Sequence, residues 1–190
     1  MDGVYSSRNF DRGAYKFTPN VTMGWGNRVQ ELGFSEGELE KRILDVGCGC
    51  SGSFLENGRN IYGIDPNLGI LRQFGDGKNY GSVTIAVPER SIRALADELP
   101  FADDSFDITL STKAVGWYPQ SINFEMAVRE MIRVTRKRTG MVMFNVGQDM
   151  TNEIFTPVMM QLGEEEGYTI HSQGVWRYIF HPDFDPESIE

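Results

Sequence analysis

Ile43-Leu44-Asp45-Val46-Gly47-Cys48-Gly49-Cys50-Ser51-Gly52-Ser53 is the stretch on which the fold turns. Its first four residues form an apolar burst interrupted by one acid, the signature of a buried strand. The glycines that follow predict a turn opening into a helix. Glycine lacks a Cβ, so it tolerates positive φ and lets a bound molecule approach the backbone. The carboxyl end of a parallel strand is also where such sheets hold ligands. Taken alone, a glycine-rich turn of this kind is a weak sign.

Twelve positions after Cys48 the chain reads Asn60-Ile61-Tyr62-Gly63-Ile64-Asp65-Pro66-Asn67, a second strand closed by a carboxylate. An acid there can accept both hydroxyls of a ribose. A nicotinamide dinucleotide and other nucleoside cofactors satisfy that spacing equally, so the two readings stand side by side at this point.

Further along, apolar bursts alternate with helical periodicity. A helix carries Leu68, Leu71 and Phe74. The third strand is sought either in Ser82–Val87 or in Ser91–Leu95, of which the later is preferred. A fourth strand spans Phe106 to Leu110, followed by a helix from about Ser121 to Arg136 with Phe124, Ala127, Met131 and Val134 on one face. A strand then covers Gly140 to Val146. Asp149 or Thr151 is placed to cap a helix bearing Ile154, Phe155, Val158, Met159 and Leu162, and Tyr168 to Phe180 reads as two terminal strands. The expected fold is α/β, Rossmann-like and doubly wound, with a seven-stranded, mostly parallel sheet and an antiparallel strand at the C-terminal end. Residues 1–40, holding Tyr5, Phe10, Tyr15, Phe17, Trp25 and Phe34, read as an aromatic leader or lid packed on a single domain of residues 41–190.

A third segment separates the two cofactor readings. Leu99-Pro100-Phe101-Ala102-Asp103-Asp104-Ser105-Phe106-Asp107-Ile108-Thr109-Leu110-Ser111 resembles the LPF-x-(D/N)-x-SFD segment of class I S-adenosylmethionine-dependent methyltransferases, in particular the branch called methyltransferase type 11. Asp45-Val46-Gly47-Cys48-Gly49 resembles the DxGxG signature of the same family, and the likeness runs from about Ile43 to Val146. The resemblance implies S-adenosyl-L-methionine as cofactor and methyl transfer as activity. It implies that Asp45, Gly47, Cys48 and Gly49 flank the methionine portion, that Asp65 binds the ribose, and that Pro66 and Asn67 cover the adenine. The resemblance further implies that Leu95, Ala96 and Asp97 line the adenine ring and that Ser111 lies beneath the methionine half. The chain departs from the pattern twice. Two residues, Cys50 and Ser51, stand between Gly49 and Gly52 where the family usually has one. Leu95 occupies the place of an acid that often reads the adenine amino group, with Asp97 the nearest carboxylate.

The acceptor pocket is expected after the fourth strand, in Thr112-Lys113-Ala114-Val115-Gly116-Trp117-Tyr118, where Trp117 and Tyr118, joined by Tyr15 and Trp25 of the leader, supply aromatic walls for a flat or cationic acceptor. The catalytic residue is unassigned, because in-line displacement from a sulfonium gains much from alignment in a dry pocket and a general base is optional.

Composition narrows the partners. Eighteen Lys plus Arg against 27 Asp plus Glu give a formal charge of -9, which repels nucleic acid and anionic lipid and favours a small-molecule substrate. The cluster Arg133, Arg136, Lys137, Arg138 reads as cations serving a helix dipole and solvation. Two cysteines, two histidines and no metal-ligand constellation point to a reducing, cytoplasmic setting without a metal. No run reaches the ~20 apolar residues that a membrane span needs. A protein partner or homodimer is left open. The alternatives to an enzyme are a non-catalytic cofactor-binding or partner subunit with a methyltransferase fold and, behind it, a nicotinamide-dependent oxidoreductase.

Overall fold

The computed structural model describes residues 37, 40–48, 60–66, 90–112, 114–115, 123–145, 155–173 and 176–188. Within them the strands are β1 (Ile43–Val46), β2 (Ile61–Ile64), β3 (Ser91–Ile92), β4 (Ile108–Thr112), β5 (Met141–Asn145), β6 (Thr169–Gln173) and β7 (Trp176–Phe180), ordered β3-β2-β1-β4-β5-β7-β6 in one sheet. The first five strands across run parallel, and β7 is antiparallel to both of its neighbours. The order reverses at β1 and β4, so their carboxyl ends form the crevice where open α/β sheets bind ligands.

β1 is buried along its whole length, as a central strand covered on both faces must be. The third strand is the later of the two sequence candidates, and Ser82–Val87 lies outside the described residues. The fourth strand begins two residues later than the apolar pattern predicts. Phe106 is not a ladder residue of β4. Its ring is fully buried and packs edge-on against Phe101 and Tyr62, at centroid distances of 4.9 and 5.8 Å, while the Arg42 guanidinium sits 5.1 Å from it and 5.0 Å from Tyr62. The pairing of β4 instead starts where Arg42 O accepts from both Asp107 N–H and Ile108 N–H.

Helix α1 (Phe124–Val134) is capped by Asn123, whose Oδ1 accepts from Met126 N–H at 3.2 Å. It buries Phe124, Ala127, Val128, Met131 and Val134. That spacing gives one apolar stripe, which lies in the same core as Leu44, Val46 and Ile64 of the sheet. Its last carbonyls find partners in the DxSF stretch: Asp104 N–H donates to Arg133 O at 3.1 Å and Phe106 N–H to Val134 O at 2.9 Å. Asp104 does this from φ 56°, a left-handed conformation that a short polar side chain tolerates.

Helix α2 (Thr156–Met160) continues as a π-helical turn over Gln161–Glu165, and the segment passes Gly163 before Gly167, at φ 77°, ends it. The expected caps Asp149 and Thr151 lie outside the described residues. So does nearly all of the 1–40 leader, together with the helix of Leu68, Leu71 and Phe74. Among the described residues no helix is long and apolar enough to cross a membrane.

Glu166, just past the π turn, joins α1 through Arg129, which donates to both of its carboxylate oxygens at 3.1 and 2.7 Å and to Glu125 at 2.9 Å. The guanidinium holds the Glu166 carboxyl below its ordinary value of 4.5. The pair therefore contributes fully above that value, and its contribution disappears as pH falls through the lower folded-state value. With both side chains about a third exposed, the effect is modest. Urea midpoints measured from pH 6 down to pH 3 are expected to fall more steeply for the wild type than for Glu166→Gln, with the two curves converging at the acid end.

Candidate functional site

At the carboxyl edge of the sheet the turn after β1 meets the turn after β4. Gly47 adopts φ +75°, and a Cβ placed there would stand 2.2 Å from Ala114 Cβ. Glycine is required here so that the two loops can touch. The N–H groups of Gly47 and Cys48 both donate to Ile64 O, at 2.8 and 2.9 Å. At these two positions the loop is therefore tied to β2, and its N–H groups do not face outward to a ligand.

Ser111 knots the same corner. Its hydroxyl donates to Val46 O at 2.9 Å and accepts from Val115 N–H at 2.9 Å, fully buried. With its one proton committed, Ser111 holds the end of β1 against the turn after β4.

Three polar side chains remain buried at this edge: Asp45, Asp65 and Thr112. Register places them. Asp45 pairs across with Gly63 on β2 and with Leu110 on β4, and side chains alternate along a strand, so Thr112, two residues beyond Leu110, shares a face with Asp45. Asp65, two residues beyond Gly63, continues that alternation while its N–H donates to Ile92 O at 3.2 Å. This face is opposite to the one where Thr109 meets Thr135 at the end of α1. Thr112 Oγ1 is buried and has no hydrogen-bond partner among the described residues. A buried hydroxyl left so is costly, about 1–3 kcal/mol, which marks a place where a polar atom of another molecule fits.

Next to Asp65, Pro66 O accepts from Arg93 Nε at 3.2 Å. Beyond β3 the chain makes a tight turn in which Glu98 N–H donates to Leu95 O at 3.3 Å, with Ala96 buried and Asp97 half-buried at its apex. The turn is followed by Leu99, whose main-chain polar groups both meet one ion pair of α1, its carbonyl accepting also from Phe101 N–H at 2.8 Å. Glu130 Oε2 accepts from Leu99 N–H at 2.8 Å, and Arg133 donates to Leu99 O at 3.1 Å. Arg133 also donates to Phe101 O, to Asp103 and to both oxygens of Glu130.

The reading of the basic cluster is corrected by these bonds. Arg133 is bound to the Leu99–Asp103 loop, Arg136 pairs with Asp107 and Arg138 with Asp185, so three of the four cations are matched by acids. Arg133 stands in the last turn of α1, where the dipole favours it, but besides Glu130 its partners Leu99, Phe101 and Asp103 lie some thirty residues back in the chain.

The structure thus brings together Asp45, Gly47, Cys48, Asp65, Pro66, Leu95, Ala96, Asp97 and Ser111 around one edge. Gly49, Asn67, Trp117, Tyr118, Tyr15 and Trp25 lie outside the described residues. Glu130 and Arg133 are the positions that sequence reasoning did not single out for the site, and Thr112 entered only as the first residue of the expected acceptor-pocket stretch. The i, i+3 spacing of Glu130 and Arg133 was a legible signal of the pair, and the orphaned hydroxyl had none. His171 stands on β6 and His181 just past β7, away from this edge. Among the described residues no group of His, Cys, Asp and Glu could hold a metal ion. An open groove of about 480 Å³ between α2 and the β6–β7 pair, lined by Phe155, Met159, Met160, Tyr168, Ile170 and Arg177, is a separate feature. β4 and β5 lie between β7 and β1, which sets the two apart by roughly 14 Å at the usual strand spacing.

Residues 44–144 match the family model described as a methyltransferase domain. A protein named as a candidate methyltransferase from Encephalitozoon cuniculi (strain GB-M1) is 29% identical over 137 residues, covering 72% of this chain and 60% of that protein. An uncharacterized methyltransferase of Mycobacterium avium (strain 104) is 33% identical over 107 residues, covering 55% of this chain and 39% of its own length. The chain therefore spans about 60% or less of these relatives. Among solved structures, a TehB-like SAM-dependent methyltransferase from Corynebacterium glutamicum superposes with a TM-score of 0.54 at 16% identity, over 82% of this chain and 94% of that one, a likeness of fold. On a family match that covers more than half of its length and both of its signature segments, the chain belongs to the methyltransferase-domain family.

Proposed function

We propose that the chain binds S-adenosyl-L-methionine across the carboxyl ends of β1, β2 and β4 and transfers its methyl group to a small-molecule acceptor. The observation that carries this reading is the convergence of Asp45, Asp65 and the orphaned Thr112 hydroxyl on one face of the sheet at its topological switch point. These residues fit the group: carboxylates suit an ammonium and a ribose diol, and the hydroxyl offers one further hydrogen bond.

When bound, the cofactor supplies an electrophilic methyl group on a sulfonium centre. Asp65 accepts from the ribose hydroxyls, Asp45 faces the methionine portion, and Ala96 and Asp97 form the wall for the adenine ring. Ser111, through Val46 O and Val115 N–H, keeps the β1 and β4 turns in contact, so it acts by positioning. Trp117, Tyr118, Tyr15 and Trp25 are the proposed acceptor walls. The chain's contribution to rate is alignment and exclusion of water, which together can supply much of the acceleration in an in-line displacement. The net charge of -9 supports a small acceptor over nucleic acid.

Calorimetric titration with S-adenosylmethionine and S-adenosylhomocysteine tests this. Micromolar binding is expected for the wild type. Asp65→Ala should weaken it by about a hundredfold, the order of a lost charge-assisted pair of bonds. Thr112→Val should weaken it about fivefold while leaving the melting temperature equal or raised, because it deletes an unsatisfied buried hydroxyl of similar shape. A folded wild type that binds neither ligand overturns the reading.

A further inference from the structure

Arg133 has five N–H donors and the structure uses all of them. Nε donates to Glu130 Oε1 at 2.6 Å. One terminal nitrogen donates to Phe101 O at 2.8 Å and Asp103 Oδ1 at 2.7 Å, and the other to Leu99 O at 3.1 Å and Glu130 Oε2 at 2.8 Å. The same Glu130 Oε2 accepts from Leu99 N–H. Leu99 is thereby fixed three ways: side chain in the core, N–H on the acid, and carbonyl on the guanidinium.

The turn Leu95–Glu98 spans the gap between β3 and this pin. On the β3 side the chain is locked to the ribose carboxylate's strand, since Asp65 N–H bonds to Ile92 O. On the other side Leu99 anchors it among the described residues, and Leu99 is held by α1. The placement of Ala96 and Asp97 relative to Asp65 is set by where the ion pair holds Leu99. With every donor of Arg133 spent on Glu130 and the Leu99–Asp103 loop, its effect on a ligand passes through the turn.

We propose that Glu130 and Arg133 are positioning residues for adenine recognition, fixing the turn whose main chain reads the base while Asp65 reads the ribose. The inference rests on the cofactor reading above. Lysine cannot replace Arg133, because a point charge with three donors cannot span Leu99 O, Phe101 O and the two acids in one plane.

The test compares S-adenosylhomocysteine with S-inosylhomocysteine, which differ only in the base edge, for the wild type, Arg133→Met, Arg133→Lys and Glu130→Gln, with Arg129→Met as the control. A site that hydrogen-bonds the base edge discriminates strongly against an altered one. The wild type is expected to prefer the adenine ligand by tenfold or more. In Arg133→Met and Arg133→Lys the affinity for the adenine ligand falls about tenfold and the preference shrinks toward unity. Glu130→Gln, the mildest change and the one to rely on should the arginine variants not fold, loses part of the preference. Arg129→Met breaks the neighbouring Arg129–Glu166 pair on the same helix and should lower the melting temperature without changing the preference.

Folded Arg133 and Glu130 variants that keep the wild-type preference, or lose affinity for both ligands equally, overturn the inference while leaving the cofactor reading intact. A folded wild type that binds neither nucleoside overturns the cofactor reading, and the inference with it.

Discussion

Gly47→Val is expected to cost the protein about 2–5 kcal/mol of stability, from about 1–2 kcal/mol for a left-handed backbone carrying a Cβ and about 1–3 kcal/mol for overpacking. Against a total of ~5–15 kcal/mol for a domain, that is a large share. The physical cause is specific: the substituted Cβ would stand 2.2 Å from Ala114 Cβ, so the turn after β1 and the turn after β4 are driven apart. The melting temperature should drop by roughly 5–20 °C at the usual 2–4 °C per kcal/mol for a chain of this size. Binding of S-adenosylhomocysteine should fall with it. The decisive comparison is a double-mutant cycle. Gly47→Ala creates the same clash with the smallest possible side chain, and Ala114→Gly removes its partner, so the double variant should recover part of the loss. A strictly additive cycle would mean that the contact with Ala114 is not what Gly47 provides.

Phe106→Ala carries the second large effect. The ring is fully buried and contacts Phe101, Tyr62 and the Arg42 guanidinium, so its removal leaves a cavity bordered by two aromatic edges and a cation. The expected cost is about 3–5 kcal/mol, which thermal denaturation would show as a drop of roughly 6–20 °C. Phe106→Leu keeps most of the volume and should cost under ~1.5 kcal/mol. Equal melting temperatures for the alanine and leucine variants would show that the cavity collapses and that the ring is not a keystone.

Phe106 also shows how far the fold is legible in the sequence. A phenylalanine before Asp107-Ile108-Thr109-Leu110 reads as the first residue of a strand, because apolar pattern and β propensity say nothing about whether a ring joins a ladder or plugs the end of a helix. The buried run Ile43–Val46 carries no such ambiguity, and β1 emerges residue for residue. The amphipathic stripe of α1 is equally clear, since Phe124, Ala127, Met131 and Val134 repeat at helical spacing.

The site divides in the same way. Asp45, Gly47 and Asp65 can be found by motif, because each sits at a strand end defined by local sequence. Ser111 can also be found, yet its bonds to Val46 O and Val115 N–H are a tertiary fact, and they make it a tie between turns. Thr112 falls in the expected pocket stretch, but its orphaned hydroxyl is invisible beforehand. A threonine ending a strand is ordinary, and only the completed register shows a buried hydroxyl without a partner. Arg133 misleads for the opposite reason: a cation in the last turn of a helix has a sufficient local explanation, and the loop that claims its donors lies about thirty positions upstream. The π-helical turn after α2 leaves no periodicity that distinguishes it from an ordinary helix.

The strand order has one further consequence, for synthesis of the chain. β6 hydrogen-bonds to the sheet only through β7, although it precedes β7 in sequence. As the polypeptide leaves the ribosome at ~5–20 residues per second, every parallel strand can find its neighbour in turn, but β6 must wait until Trp176–Phe180 has emerged and slid between it and β5. Of the described strands, the last delivered is an internal one. Sheet closure is therefore a late event, and until it happens β5 presents a bare edge that binding partners or chaperones can recognise.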